Sequence, residues 1–243
     1  MRLLIITQAV DRTDPVLGFF LDWIVLFARE CDQVQVICLR EGEHDLPGNV
    51  AVHSLGKESG VSRIKYLARF YWYLVTLHRR YDTVFVHMNP EYIVLGGLWW
   101  RLWGKRIGLW YVHSSVTRIL HLATKLTHLV FTTSPESFLI HSPKVQVMGH
   151  GIPVGIFSVP ETTLRGQEDP HREVQIMTVG RVSRTKRIGE MLLALDELYR
   201  RGNRFTFTIV GAPVTEADIA YQDHLNTEIA QRPYAVIHAG PIA

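Results

Sequence analysis

Short β-rich runs alternate with helical patterns along most of this 243-residue chain, and that alternation constrains the fold more than any single motif. Residues 3–7 read as a strand, followed by a polar loop over 8–18. Residues 19–29 read as a helix, with Phe19, Trp23, Leu26 and Phe27 at helical spacing. Further strands are predicted at 34–39, 50–55, 83–87, 107–112, 129–133 and 145–148. Ser62 heads a long amphipathic helix reaching about Arg80, and helices follow at 91–103, 116–124 and 135–140. This is the βαβ rhythm of a parallel, doubly wound sheet. The stretch 153–170, with Pro153, Pro160 and Pro170, reads as a linker. A second series then begins: a strand at 174–179, a helix near 187–201, a strand at 205–210, a helix near 216–230 and a strand at 235–238. The expected division is a first Rossmann-like domain over 1–152, a linker over 153–172 and part of a second such domain over 173–243. Three strands and two helices make half an α/β domain. The expectation is therefore a sequence truncated inside its second domain, or one completed by another chain.

Hydrophobic content of 47% and charged content of 20% suit a folded globular protein. The net charge is only +3, yet residues 59–135 carry ten cations against two acids, Asp82 and Glu91. That excess biases the region toward anionic partners: nucleic acid, an anionic membrane or phosphorylated small molecules. No nucleic-acid motif accompanies the charge, so nucleic-acid binding is disfavoured. Cys31 and Cys38 fit no zinc spacing and cannot form a disulfide framework, which points to a reducing cytosol. The longest apolar run, 92–100, is too short to span a bilayer, which needs ~20 residues.

Ligands of open α/β sheets bind beyond the carboxyl ends of the strands, so polar residues there are the candidates for chemistry. The first such loop holds Asp11, Asp14 and Gly18 but lacks the dinucleotide glycine fingerprint. His87 ends one strand and His113 follows another; a histidine so placed can bond a sugar hydroxyl or a phosphate. The 145–148 strand runs into Gly149-His150-Gly151. Most pointed is the turn after the 174–179 strand: Gly180 with Arg181, Arg184, Lys186 and Arg187. Glycine permits close backbone approach, a helix start offers N–H groups, and the cations neutralise a phosphate. A solvated basic turn has the same composition, and its place at the head of the second βα series favours a site. No Asp-x-Asp occurs, so a divalent-metal diphosphate clamp has no evident ligands and no metal is expected.

In the helix over 63–80, Tyr66, Leu67, Phe70, Tyr71, Tyr73, Leu74 and Leu77 interleave with Arg63, Lys65, Arg69, Arg79 and Arg80 and no acid. A core helix with snorkelling cations fits this pattern, and so does an interfacial helix on an anionic membrane. The core reading is preferred, with membrane association kept as the alternative.

Together these pieces resemble the GT-B glycosyltransferases, in particular the large retaining group called family four. Gly180-Arg181 followed by Lys186 resembles its GR…K signature, whose Arg and Lys hold the donor diphosphate. His113 falls where the family has a histidine near the donor sugar and phosphate, and the loop ending at Gly18 resembles its glycine-containing first loop. Residues 147–152 with Phe157, and 132–136 before them, are similar to the segments closing the first domain. His150 and Pro153 stand where the family usually has Asn and Asp, and Arg187 where Gly or Asn is common. Its E-x7-E element, which grips the donor sugar, should lie beyond residue 243.

The resemblance implies sugar transfer with retention from a nucleotide diphosphate sugar to an acceptor hydroxyl. His113 would be catalytic, and Gly18, Gly180, Arg181 and Lys186 would bind donor, with His87, His150 and Gly151 as further candidates. No cofactor or metal is implied. The acceptor would be a glycan or a lipid-linked glycan of cell-envelope synthesis. The location would be cytoplasmic, with peripheral contact at the inner face of the plasma membrane. Two alternatives remain: a binding half of a split GT-B enzyme, and a GT-B-like sugar-nucleotide epimerase.

Overall fold

The computed structural model describes residues 1–151 and 173–241. The predicted linker over 153–172, with Pro153 and Phe157, lies outside the described residues, as does Ile152. The chain divides into two compact units, Met1–Pro153 and Val154–Ala243.

The first unit is an α/β sheet unit in the order β1 (Arg2–Val10), α1 (Phe20–Glu30), β2 (Gln33–Glu41), β3 (Val50–Ser54), α2 (Arg63–Thr76), β4 (Thr83–His87), α3 (Pro90–Leu102), β5 (Arg106–Trp110), α4 (Arg118–Leu126), β6 (Leu129–Thr132) and β7 (Val145–Val147). All seven strands are parallel and lie in the order β3-β2-β1-β4-β5-β6-β7. Sequence order reverses direction between β1 and β4, which is the switch point where such sheets open a crevice.

Alternation along the strands fixes which side each helix covers. Leu3 and Ile5 of β1 pack with Phe20, Leu21 and Ile24 of α1. Leu4 and Ile6 belong to the opposite core, with Phe70 and Leu74 of α2, Ile93 and Trp100 of α3, and Leu120 of α4. Each fully buried side chain of this size contributes roughly 1.5–3 kcal/mol. Gly96 lets α3 fold Trp100 inward, because a Cβ there would lie 2.7 Å from the Trp100 ring. Trp100 then donates from its indole to the Tyr81 hydroxyl at 3.1 Å.

The second unit holds β8 (Val174–Val179), α5 (Ile188–Arg200), β9 (Phe205–Val210), α6 (Glu216–Ile229) and β10 (Val236–Gly240). Its parallel strands lie in the order β10-β9-β8. Phe205, Phe207 and Ile209 of β9 form a core with Leu192, Leu195 and Leu225. Thr215 and Asp218 close a reciprocal capping box that starts α6.

Several boundaries differ from expectation. β1 runs to Val10, so Gln8 is a strand residue rather than loop. α2 ends at Thr76, and Ser62 occupies its N-cap position without a side-chain bond. Residues 135–140 form only a single 3₁₀ turn, Pro135–Ser137. α4 begins two residues late because the Thr117 hydroxyl accepts from the Leu120 N–H at 3.1 Å. Cys31 and Cys38 are both free and buried, and burial pushes the Cys38 thiol up to about 12.

Candidate functional site

Every strand of the first unit is parallel, so the loops after β1, β4, β5 and β7 share one edge of the sheet. The β1 loop is held by two carboxylates. Asp14 Oδ1 accepts from the N–H groups of Val16 (2.8 Å) and Leu17 (2.7 Å), and its Oδ2 pairs with the Arg40 guanidinium from the end of β2. Asp11 Oδ1 accepts from the Thr13 hydroxyl and N–H. Those two bonds, with Arg40 adding to them, outweigh burial and hold the Asp11 carboxyl below the usual range. Gly18 closes the loop. A Cβ there would lie 2.8 Å from the carbonyl oxygens of both Arg12 and Asp14.

His87 is only 2% exposed. Its ring stacks on Phe20 at 3.9 Å between centroids, and Nδ1 lies 3.2 Å from the Thr7 hydroxyl. Burial drives its pKa down to about 4, so the ring is neutral. Standing at the switch point against Phe20 of α1, it is enclosed by the core, unlike the open strand-exit histidine suggested by its position. The next residue, Met88, takes a left-handed conformation (φ 62°), sparsely populated for a side chain of this kind. Beyond it, Asn89 donates to the His87 carbonyl at 2.9 Å and accepts from the Gln8 amide at 2.8 Å. Gln8 and Asn89 thus bridge β1 and β4 on the α2/α3 side of the sheet.

That amide pair lines a cleft of about 660 Å³ between α2 and α3. Tyr66, Phe70, Tyr92 and Leu95 form its walls, and Lys57, Arg63 and Glu91 its charged lining. Sequence reasoning missed Gln8 and Asn89, since only the strand order brings residues 81 positions apart together.

His113 is exposed. Its backbone N–H donates to the Ser137 carbonyl at 3.0 Å, which anchors it beside the turn after β6. Its Nδ1 accepts from the Ser115 N–H at 2.9 Å. An Nδ1 that accepts leaves Nε2 carrying the proton in the neutral ring, a donor suited to a phosphate or hydroxyl oxygen. Hydroxyls of Thr133, Ser134 and Ser137 cluster on the same turn at 3.1 Å spacings. His150 and Gly151 are exposed beyond β7, and just after that strand the Met148 N–H donates to the Thr132 carbonyl at 2.8 Å.

In the second unit the basic turn is a built structure. Gly180 has φ 147°, and a Cβ there would meet Lys186 Cε at 3.6 Å and Nζ at 3.9 Å. The ammonium therefore lies over the glycine backbone. Lys186 is carried on the 3₁₀ turn Arg184–Lys186, and the left-handed Arg187 (φ 53°) starts α5. Arg181 Nε is 3.8 Å from Asp218 Oδ2. Burial would raise the Asp218 carboxyl, but bonds from the Thr215 hydroxyl and N–H, with Arg181 nearby, hold it low. Two further glycines end the neighbouring strands: Gly211 (φ 141°) after β9 and Gly240 (φ 70°) on β10. Gly180 N–H donates to Val210 and Gly211 N–H to Gly240, both at 2.9 Å. Three bare backbone segments thus stand side by side at the strand ends, with two cations at one side. The Lys186 ammonium thus sits beside a stretch of main chain that carries no side chain.

No protein-family model and no curated protein sequence matches the chain. Solved structures do match over its full length. HepE of Anabaena, crystallised with UDP, aligns with 100% of this chain and 70% of its own, at a TM-score of 0.72 and 16% identity. A UDP-forming α,α-trehalose-phosphate synthase of Burkholderia xenovorans, in complex with glucose-6-phosphate, aligns with 100% and 75% at 0.64 and 15%. UDP-GlcNAc 2-epimerase of Methanocaldococcus jannaschii aligns with 100% and 74% at 0.53 and 13%. The fold is accordingly of the GT-B type, an α/β architecture of Rossmann-like parallel sheets.

Proposed function

We propose that this chain belongs to a glycosyltransferase that moves a sugar, with retention, from a nucleotide diphosphate sugar to an acceptor hydroxyl. The observation that carries the reading is the Lys186 ammonium folded over Gly180, with Arg181 adjacent. Breaking a glycosidic bond to a diphosphate builds charge on the leaving group. Fixed cations at the Gly180 edge would stabilise that charge without a metal or cofactor. The UDP in the HepE crystal and the UDP-forming synthase among the neighbours support a donor of this class. His113 is the proposed catalytic residue of the first unit: with its Nδ1 accepting from Ser115, its Nε2–H is the donor it could offer to a phosphate or sugar oxygen. Gly18 is the proposed donor-binding residue of the first unit, shaping its loop, with His150 and Gly151 as further candidates.

The acceptor would be a glycan or lipid-linked glycan in cell-envelope polysaccharide or glycolipid synthesis, on the cytoplasmic side. A peripheral contact with an anionic membrane through residues 63–80 accords with exposed Ile64, Trp72 and Val75 beside Lys65 and Arg69. No helix among the described residues is long and apolar enough to cross a membrane. The epimerase among the neighbours keeps a second reading open, chemistry at C2 of a bound UDP-sugar.

The test is calorimetric titration of UDP-, GDP- and ADP-sugars into the protein and into Arg181→Ala and Lys186→Ala. Saturable binding of one nucleotide class, weakened in both variants, is expected. Absence of binding by every nucleotide, or binding indifferent to both changes, refutes the reading. NMR of a bound UDP-sugar without acceptor separates the two chemistries, because only an epimerase inverts C2.

A further inference from the structure

We infer that the cleft between α2 and α3 is the acceptor site and that it takes a lipid phosphate: an apolar chain, an anionic phosphate and a hydroxyl-bearing head. This rests on the glycosyltransferase reading for the word acceptor, but the binding chemistry stands on the cleft itself.

The cleft lies at the carboxyl ends of β1 and β4, at the switch point of the sheet. Three kinds of surface line it. At the strand ends the Gln8 and Asn89 amides offer hydrogen bonds to hydroxyl groups. The walls are apolar and aromatic, with Phe70 and Tyr92 rings 5.2 Å apart. The charged residues are the exposed Lys57 and Arg63 against the single carboxylate of Glu91. That balance selects an anion.

What favours a lipid over a free sugar phosphate is where the walls lead. Leu67 lines the cleft and is also 41% exposed on the outer face of α2. From it an apolar stripe continues along α2 through Ile64, Tyr71 and Val75 at helical spacing. Leu95 likewise lines the cleft and continues along α3 to Leu98, Trp99 and Leu102, all three exposed. Tyr71 donates to the Leu95 carbonyl at 3.2 Å, which joins the two stripes. An apolar track therefore runs from the cleft onto the outer surface, and neither helix carries an acid apart from Glu91. A soluble sugar phosphate has no use for that track. A lipid chain covers it and leaves the phosphate at Lys57 and Arg63.

The experiment is titration of dihexanoyl phosphatidylglycerol, below its micellar concentration, into the 243-residue protein. Glycerol phosphate, glucose 6-phosphate and zwitterionic dihexanoyl phosphatidylcholine serve as comparators. Saturable binding is expected, at least about tenfold tighter than either soluble phosphate. Lys57→Glu with Arg63→Glu should weaken it by about tenfold or more, the scale of lost charged contacts. Leu67→Ser, which removes the apolar side chain without adding charge, should weaken the lipid and leave glucose 6-phosphate unaffected. All three positions are exposed, and unchanged circular dichroism would establish that the variants fold. The inference is overturned if the soluble phosphates bind as tightly as the lipid, if phosphatidylcholine binds equally, or if the variants bind the lipid like the parent. UDP-sugar binding is measured on the same samples. A parent that binds the lipid but no UDP-sugar would overturn the donor reading alone, and the reverse result would overturn only this one.

Discussion

The carbonyl oxygen of Gly180 lies 2.0 Å from where a Cβ on Gly211 would stand. The ends of β8 and β9 are in backbone contact there, and Gly211 also holds φ 141°, a region essentially closed to other residues. Gly211→Ala must push the two strand ends apart and adopt a strained backbone. We expect a cost of roughly 2–4 kcal/mol to the second unit, read by urea unfolding. Gly202 also has positive φ (88°) but open space around it, so Gly202→Ala should cost only about 1 kcal/mol. Equal losses in the two variants would show that backbone strain alone, and not the close approach, makes Gly211 necessary.

Arg181 and Lys186 both belong to the turn after β8 but are held by different partners. Arg181 is held near Asp218, while Lys186 lies over Gly180. Replacing either by alanine should weaken nucleotide-sugar binding by roughly 1–3 kcal/mol, the scale of a lost charged hydrogen bond. Asp218→Asn removes the charge beside Arg181 and should leave the α6 start largely intact, since an amide oxygen can still accept from the Thr215 N–H. Calorimetry of all three variants tests this. A loss in Asp218→Asn as large as in Arg181→Ala would mean that the pair acts as one unit.

Apart from the helix expected over 135–140, the strand and helix sequence of both units was legible from hydrophobic alternation, and the cations after Gly180 were what drew attention to that turn. The strand order was not, because β1 lies between β2 and β4 only through long-range pairing. That order is what makes Gln8 and Asn89 neighbours, and what buries His87 under Phe20 while His113 stays open. Two residues with the same local signature, a histidine at a strand exit, therefore differ in their chemistry. Gly211 and Gly240 did leave a signal. Each follows or ends an apolar run as Gly180 does, but without adjacent cations to draw attention. The Asp14–Arg40 pair was hidden because a loop and a strand end 26 residues apart supply its halves.

The β1 loop gives a third prediction. Gly18 is walled by the carbonyl oxygens of Arg12 and Asp14, each 2.8 Å from where a Cβ would lie. Gly18→Ala should open the loop and disturb the two N–H bonds that Asp14 Oδ1 accepts. A stability loss of about 1–3 kcal/mol is expected, together with faster proteolysis between residues 11 and 18. An unchanged unfolding midpoint and cleavage pattern would mean that the loop yields freely.

The fourth concerns acid stability. Burial lowers His87 to about 4 in the native protein, while an unfolded histidine titrates near 6.5. Between these values the unfolded chain takes up a proton that the native chain refuses. The stability due to neutral His87 is therefore fully present above about pH 6.5 and is lost progressively as pH falls to about 4. The difference of the two values corresponds to about 3 kcal/mol. His87→Gln keeps a polar group near the Thr7 hydroxyl and removes the titration, at the cost of the stacking on Phe20. The variant should be less stable than the parent at pH 7.5, and the gap should narrow steadily toward pH 4.5. Urea unfolding at a series of pH values reads this directly. A gap constant across that range would show that His87 is protonated inside the fold, and that the α1 core tolerates the charge.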